Sequence, residues 1–282
     1  MHPVHLQQEE TAGRGYRMHP AISINTLCLE PAAFEVHVDQ VARLGASAIS
    51  ATLEEVAAVG QTRARRLLVD AGLKAATFTH RAFAYARPED VRPAQARLNT
   101  SLALAQDIGA TSVTLTTGGR EHLDWPAASA RFAAAIAPCA EIARAVGVKL
   151  SIEPTSHLYA DVSIAHRLAD TVSLARNAGI HLGIDLFACW FDADIDEAIV
   201  AAAPLCAVVQ VSDYVAGDRG LPCRAVPGDG VVPLDRLIPS IIAAGFDGYF
   251  DLEIIGPRII AEGPLKAVAR AGAQLDRLLR KP

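Results

Sequence analysis

Four polar side chains stand at the ends of four successive apolar runs, where buried strands more often stop at Gly, Pro or Asn. They are Glu153 in KLSIEP, Asp185 in HLGID, Gln210 in AVVQVSD and Glu253 in YFDLE. If these runs are neighbouring parallel strands of a barrel, all four side chains meet at the same mouth. Three carboxylates and one carboxamide offer the oxygen ligands of a hard divalent cation. The sequence therefore predicts one site for Mn²⁺ or Mg²⁺, which suit oxygen donors better than Zn²⁺ does.

A divalent metal in this position would assist proton transfer at a carbon atom. When it bridges the carbonyl and the neighbouring hydroxyl of a hydroxy-ketone, it acidifies the C–H bond between them by stabilising an enediolate. Glu153 and Glu253 lie on opposite sides of the predicted site, so each can both bind the metal and carry a proton. Return of the proton to carbon gives isomerisation or epimerisation. Expulsion of a β-hydroxyl or glycosyl group gives a lyase instead.

Other residues near the predicted mouth are candidates for holding a substrate. His80 ends the third apolar run, TFTH, and His157 lies in the loop after the fifth run. Either imidazole could hold a substrate hydroxyl or act as an acid near neutral pH. Trp190 either walls the pocket or packs on the barrel rim. Asp213 could compete as a ligand or support one, whereas we expect Asp251 to point away because alternate strand residues face opposite sides.

The elements that must position these residues alternate regularly along the chain. Eight short apolar runs favour strands, at 21–26, 46–51, 73–79, 112–116, 149–153, 182–185, 208–213 and 248–253. Helices are expected near 32–44, 54–71, 88–108, 126–146, 162–178, 194–203, 234–244 and 264–280. Eight such repeats in about 260 residues predict an α/β fold, a single-domain (β/α)8 TIM barrel. A doubly wound sheet is the alternative, but INTLCLEP lacks the glycine-rich turn that it needs after its first strand.

Composition and charge limit the class of protein. The 282 residues include 51% hydrophobic residues and carry a net charge of −5, whereas a nucleic-acid-binding domain normally has a basic surface. No apolar run approaches the ~20 residues of a membrane span. Five scattered cysteines without a CxxC pair favour reduced thiols in the cytoplasm. We therefore expect a cytoplasmic enzyme that acts on a small molecule and has no nucleic-acid or membrane partner.

The domain organisation is simple. The first stretch of the chain is polar and lacks the apolar segment of a secretory signal. We predict a flexible N-terminal leader over residues 1–19 and one barrel domain over residues 20–282. The sequence does not determine the oligomeric state, so a homo-oligomer stays open.

Four segments of the chain resemble the xylose-isomerase-like barrel family of sugar isomerases, epimerases and dehydratases. They are IEPTSHLYAD, GIDLFACWFD, VVQVSDYVAGDRGLPCRAVPGDGVVPL and YFDLEI, and the resemblance extends from the first strand to the last helix. It implies that Glu153, Asp185 and Glu253 bind the metal. Gln210 stands where the family usually has His, although certain 3-dehydroshikimate dehydratases resemble this chain in using Gln. The resemblance also implies that Arg224, in RAVPGDG, holds substrate oxygens.

The resemblance leaves the reaction open. The leading hypothesis is a metal-dependent isomerase or epimerase of carbohydrate metabolism that acts on a sugar or keto sugar. The alternative is a lyase, which would dehydrate an inosose-like or dehydroshikimate-like ketone or cleave a 3-keto-glycoside by elimination. Relatives with ketose 3-epimerase activity often have a His soon after the sixth-strand Asp, whereas LFACW follows Asp185 here. Because of this departure and of Gln210, the sequence supports the lyase hypothesis almost as well as the isomerase hypothesis.

Two further classes of protein are alternatives. A DNA-repair endonuclease shares this barrel, but it uses a cluster of His and acidic residues for several Zn²⁺ ions and a basic DNA-facing surface. The absence of such a His cluster and the net negative charge argue against it. A catalytically silent metal-binding subunit that supports a partner protein stays open.

Overall fold

The computed structural model describes residues 17–280, and it confirms the predicted (β/α)8 TIM barrel. The strands are β1 (Ile22–Asn25), β2 (Ala48–Thr52), β3 (Lys74–Thr79), β4 (Ser112–Leu115), β5 (Lys149–Ile152), β6 (His181–Asp185), β7 (Cys206–Val211), β8 (Asp213–Tyr214), β9 (Arg224–Ala225) and β10 (Tyr249–Leu252). β8 and β9 form a separate antiparallel pair in the segment after β7. The other eight strands are parallel and close into a ring, in which β10 pairs with both β7 and β1. Their residues are nearly all buried because the barrel interior covers one face and the helices cover the other.

Each barrel strand is followed in sequence by one or two helices. They are α1 (Phe34–Arg43), α2 (Leu53–Val59), α3 (Gln61–Ala71), α4 (Pro88–Ile108), α5 (Trp125–Val146), α6 (Leu168–Ala178), α7 (Leu186–Cys189), α8 (Ile195–Ala202), α9 (Leu234–Ala243), α10 (Pro257–Glu262) and α11 (Pro264–Leu279). Six of the eight predicted helices agree with these bounds to within two residues at each end. None of the helices in the part of the chain described is both long and apolar enough to cross a membrane.

Two predicted helices differ from the structure, one for a local reason and one because of a tertiary contact. The helix predicted over 54–71 is divided into α2 and α3 because Gly60 takes a backbone φ of 81°, which an α-helix does not allow. The helix predicted to begin at residue 162 begins at Leu168 instead. The residues before it are held in a loop, where the backbone N–H of Ile164 donates to Thr117 Oγ1 at 2.8 Å. Tertiary contacts therefore override the helical pattern there.

A belt of buried hydroxyl groups crosses from strand to strand. Thr114 Oγ1 lies 3.0 Å from Thr77 Oγ1 and 2.8 Å from Ser151 Oγ. On the other side of the ring, Ser23 Oγ lies 3.4 Å from Ser50 Oγ. Bulky aliphatic side chains usually fill this space in a TIM barrel. The interior of this barrel is therefore lined partly by polar side chains.

Asp251 on β10 belongs to the same polar interior. It is fully buried, and its carboxylate accepts hydrogen bonds from the Ser23 hydroxyl and, at 3.0 Å, from Asn25 Nδ2. Our expectation that Asp251 points away from the site is wrong. Residues two apart on a strand share a face, so Asp251 lies on the same side as Glu253. Burial raises the pKa of Asp251 to about 6.

The predicted leader lies mostly outside the described residues. Its last three residues, 17–19, are placed by the structure. Among them Met18 is only 4% exposed, and its backbone N–H donates to the carbonyl oxygen of Gly45 at 2.9 Å. These residues therefore contact the barrel, and the domain boundary at residue 19 stays a prediction.

Candidate functional site

The barrel places the four predicted ligands on adjacent strands at one mouth. Glu153 directly follows β5, Asp185 is the last residue of β6, Gln210 lies in β7, and Glu253 directly follows β10. Asp185 stands opposite Gln210 in the register of β6 and β7. The amide nitrogen of Gln210 donates a hydrogen bond to Glu253 Oε2. Its other polar atom, Oε1, is buried and has no hydrogen-bond partner.

Arg224 lies among the carboxylates. Its Nη1 and Nη2 atoms donate to Asp185 Oδ1 at 2.9 Å and to Asp185 Oδ2 at 2.7 Å, in a two-pronged pair. Nη2 also lies 3.5 Å from Glu253 Oε1, and Nη1 donates to the Ser212 hydroxyl at 3.2 Å. The guanidinium carbon stands 4.8 Å from the ring centre of Phe187. We call Arg224 and the four predicted ligands the acidic centre.

The charges of the acidic centre are unbalanced. Burial raises the pKa of Glu153 well above its usual range, and the charges of Glu253 and Asp185 raise it further. Burial likewise raises the pKa of Glu253. Burial alone would lower the pKa of Arg224, but the charges of Asp185 and Glu253 outweigh this and raise it. One permanently charged guanidinium therefore stands among three carboxylates that repel one another.

Asp213 has a different role from either that we predicted. Its carboxylate accepts four backbone N–H groups at 2.8–3.0 Å, those of Tyr214, Gly228, Gly230 and Val232. With both oxygens engaged in this way, it is not brought to the acidic centre as a ligand. It ties the loop after β9 to β8, and the pairing of Tyr214 with Arg224 places the arginine. Asp213 therefore acts on the site through the backbone.

The oxygen donors of the acidic centre suit a hard cation. Within residues 17–280, no group of three or more His, Cys, Asp or Glu side chains is arranged to hold a metal ion. The guanidinium of Arg224 takes both oxygens of Asp185. The orphaned Oε1 of Gln210 is a free oxygen ligand in the interior. When its three carboxylates are ionised, the centre also lacks two positive charges, which a divalent ion would supply.

A cavity of about 420 Å³ opens beside the acidic centre. It is formed by the loops after β5, β6 and β7, and its lining includes His157, Trp190, Phe191, Tyr214 and Arg219. Phe187 also lines it and carries the Arg224 guanidinium on its ring, so this one ring joins the cavity to the acidic centre. The volume falls in the range of small-molecule sites, ~300–1,000 Å³.

Of the three remaining predicted site residues, Trp190 and His157 line the cavity, whereas His80 is buried. Trp190 lines the cavity and packs at 5.0 Å between ring centres against Phe191. His157 is exposed at the cavity wall. His80 is buried, and its Nδ1 lies 3.0 Å from the Ser101 hydroxyl on α4. Burial lowers the pKa of His80 to about 4, so its imidazole is neutral at physiological pH.

Phe187, Ser212, Tyr214 and Arg219 belong to the site but were not singled out from the sequence. Phe187 directly follows the barrel strand that ends at Asp185, which is a position that can signal a site residue. Arg219 lies in a loop between β8 and β9 and gave no signal by its spacing. Only the fold brings it to the cavity.

Comparison with known proteins supports the same family throughout. A family model described as xylose isomerase-like TIM barrel matches residues 38–280. No curated protein matches the chain. The structure of protein SMc04130 from Sinorhizobium meliloti 1021 is similar, with 26% identity, a TM-score of 0.85, and coverage of 92% of this chain and 98% of that one.

Two further solved structures share the fold at lower identity. The IOLI protein, solved with a bound zinc atom, is 14% identical with a TM-score of 0.80, over 92% of this chain and 98% of that one. D-psicose 3-epimerase from Clostridium cellulolyticum H10, solved with D-tagatose, is 15% identical with a TM-score of 0.77, over 93% of this chain and all of that one (100%).

Proposed function

The chain belongs to the xylose isomerase-like TIM barrel family, and on that premise we propose that it is a divalent-metal-dependent isomerase or epimerase of a sugar or keto sugar. The observation that carries this proposal is the pair of glutamates, Glu153 and Glu253, on either side of the Asp185–Gln210 pair. Glu253 is buried and Glu153 is partly buried, and both have raised pKa values. Sugar epimerases among the structural neighbours support the substrate class.

The proposed metal ligands are Glu153, Asp185, Gln210 and Glu253, and the proposed ion is Mn²⁺ or Mg²⁺. When bound, such an ion would acidify the C–H bond beside a ketone and stabilise the enediolate. The unpartnered Oε1 of Gln210 supports this set, because a buried oxygen without a partner is costly unless something binds it.

The two glutamates are proposed to move the proton. Efficient general acids and bases have pKa values near the working pH, and burial moves both carboxyl groups in that direction. Gln210 donates a hydrogen bond to Oε2 of Glu253, so this carboxylate has a defined orientation. In the proposed reaction Glu153 and Glu253 stand on opposite faces of the substrate carbon, and one removes the proton while the other returns it.

The substrate is proposed to bind between the acidic centre and the cavity. Arg224 would hold substrate oxygens, and His157 and Trp190 would contact the part of the substrate that extends into the cavity. His80 was also predicted to bind substrate. Its hydrogen bond with Ser101 favours a supporting role, in which a neutral imidazole steadies the loop after β3.

A lyase is the second candidate, and Gln210 is the observation that favours it. Gln210 stands in the place of the usual family His, and it donates to Glu253 rather than presenting an imidazole. A protonated Glu253 could deliver its proton to a leaving hydroxyl or glycosyl oxygen instead of to carbon. The cavity beside Phe187 has room for such a leaving group.

Solvent exchange in D₂O tests the shared first step. Hydroxy-ketones are incubated with the Mn²⁺-treated protein, and deuterium at carbon is followed by NMR. We expect exchange with the wild type and a loss of at least ~100-fold with Glu153→Gln or Glu253→Gln, each with an unchanged circular dichroism spectrum. Near-normal exchange in either variant would contradict the two-glutamate mechanism. The product formed in ordinary water separates the candidates, since an isomer keeps the substrate mass and a dehydration product loses one water.

A further inference from the structure

Arg224 uses the oxygens that the predicted metal ligand Asp185 would offer. A carboxylate has about four lone-pair sites in its plane. At Asp185, Nη1 of Arg224 takes one site on Oδ1, and the backbone N–H of Phe187 takes another at 3.0 Å. Nη2 of Arg224 takes a site on Oδ2 at 2.7 Å. One in-plane site is left, and the guanidinium stands beside it.

The cavity beside Phe187 offers a second position for the Arg224 guanidinium. Arg224 rests on the ring of Phe187, which forms part of the wall of the 420 Å³ cavity, and its neighbour Cys223 lines the same cavity. A rotation of the side chain about its own bonds would carry the guanidinium over this ring and into the cavity. The backbone of β9 could stay in place, because Asp213 ties the loop that follows it to β8.

We propose that Arg224 and the divalent metal compete for Asp185, so that the guanidinium closes the metal-free site and swings toward the cavity when the ion binds. This inference rests on the proposed function, because it assumes that Asp185 is a metal ligand. A guanidinium and a divalent ion on the same carboxylate repel each other strongly in a buried site. The movement places Arg224 where the oxygens of a substrate in the cavity would lie. Metal binding therefore prepares the substrate site as well as the reaction.

The test measures Mn²⁺ binding to the metal-free protein from the electron paramagnetic resonance signal of free Mn²⁺. Arg224→Met removes the competitor, and we expect it to bind Mn²⁺ at least ~10-fold more tightly than the wild type. Arg258→Met is the matched control. It also breaks a two-pronged Arg–Asp pair, with Asp218 at 2.7 and 3.0 Å, but this pair is outside the acidic centre. We expect its Mn²⁺ affinity to stay within twofold of wild type, which is a shift of less than ~0.5 kcal/mol.

Arg224→Lys separates competition from simple charge. Lysine keeps the positive charge but cannot hold both oxygens of Asp185 at once. Competition through the two-pronged pair predicts tighter Mn²⁺ binding in Arg224→Lys than in the wild type. An affinity equal to that of the wild type overturns the proposal. A crystal structure of the Mn²⁺-loaded wild type gives a second readout, in which both Arg224–Asp185 hydrogen bonds should be broken, and their persistence with the ion bound also overturns it.

Failure of the proposed function would look different. If neither the wild type nor Arg224→Met binds Mn²⁺ better than Asp185→Asn does, the metal site itself is wrong, and the competition falls with it. If the wild type binds Mn²⁺, Asp185→Asn does not, and both Arg224 variants equal the wild type, the metal site stands and only the competition is overturned.

Discussion

Two arginine–aspartate pairs of nearly the same geometry stand in different surroundings. Arg224 holds Asp185 through two hydrogen bonds of 2.7 and 2.9 Å, and Arg258 holds Asp218 through two of 2.7 and 3.0 Å. The first pair is buried, with side chains 13% and 5% exposed, whereas those of the second are 52% and 27% exposed. Glu253 and Glu153 also act on the buried charge of Arg224, whereas the further carboxylate that acts on Arg258, Asp229, is solvent-exposed and paired with Arg270.

The comparison shows that the neighbours of an ion pair decide its role. An exposed pair is screened by water and contributes little to stability. A buried pair with additional carboxylates is different, because in the metal-free protein loss of the guanidinium leaves buried carboxylate charges without a partner. The carboxylates of the acidic centre thus repel one another, and Arg224 supplies part of the positive charge that offsets this repulsion.

The largest expected effect on stability follows from removing the buried cation. Arg224→Met should lower the free energy of unfolding of the metal-free protein at neutral pH by about 3–5 kcal/mol, because Asp185 is left buried without its partner. Urea unfolding followed by circular dichroism measures this. A loss below ~1 kcal/mol would mean that the pair behaves like a surface pair and would remove the contrast on which the comparison rests.

Asp213 provides a third kind of aspartate, paired with backbone rather than with arginine. Asp213→Asn should lower the free energy of unfolding by about 2–4 kcal/mol, since asparagine has one acceptor oxygen and its NH₂ group would face two of these four N–H donors. The exposed Asp247→Asn serves as control and should have little effect. Equal stability of the two variants in urea would show that Asp213 does not hold the loop.

The pH dependence of folding stability is a smaller effect, and it has opposite signs at the acidic centre and at the Arg258–Asp218 pair. The folded chain keeps a proton on Glu153 at pH values where the unfolded chain, with an ordinary pKa of 4.5, has lost it. Stability of the metal-free wild type therefore falls as pH rises above ~4.5 and through the raised pKa of Glu153. Glu153→Gln avoids this loss, so its stability relative to wild type should increase with pH, reaching ~1–3 kcal/mol at mildly alkaline pH.

The exposed pair supplies the control for this pH dependence. Arg258 lowers the pKa of Asp218, so that carboxylate favours the folded state above its unfolded pKa of 3.8 and loses this contribution as pH falls. The stability of Asp218→Asn relative to the wild type should therefore not increase as pH rises. Urea unfolding of both variants at about pH 5 and about pH 8.5, with chelator present, makes the comparison. A flat difference for Glu153→Gln would contradict the account of the buried carboxylates.

The smallest expected effect is that of Arg258→Met. Because its pair with Asp218 is open to solvent, the variant should have a melting temperature within experimental error of the wild type. Differential scanning calorimetry in low and high salt measures it. A clear loss of stability that persists in high salt would show that this pair is not a simple surface pair.

The parts of the site that the sequence predicted are those that depend on strand periodicity. Apolar runs ending at Glu153, Asp185 and Glu253 placed these residues at strand ends, because buried parallel strands require continuous apolar stretches. The same periodicity should have placed Asp251 beside Glu253. The prediction that it points away failed because residues 251 and 253 are two apart and share a face.

The contacts that could not be predicted cross between elements through loops. Arg224 reaches Asp185 from 39 residues away, on a short strand whose pairing is set by the backbone bonds of Asp213. No local pattern signals such a pairing.

Metal stoichiometry tests the central claim most directly, namely that the acidic centre lacks a cation that a divalent metal supplies. Purified wild type and Asp185→Asn are dialysed against Mn²⁺, and bound manganese is measured by elemental analysis. The account predicts about one Mn²⁺ per wild-type chain and a large loss of binding in Asp185→Asn, since a ligand and its charge are removed together. Absence of bound metal from the wild type at millimolar Mn²⁺, or equal binding by the two proteins, would contradict it.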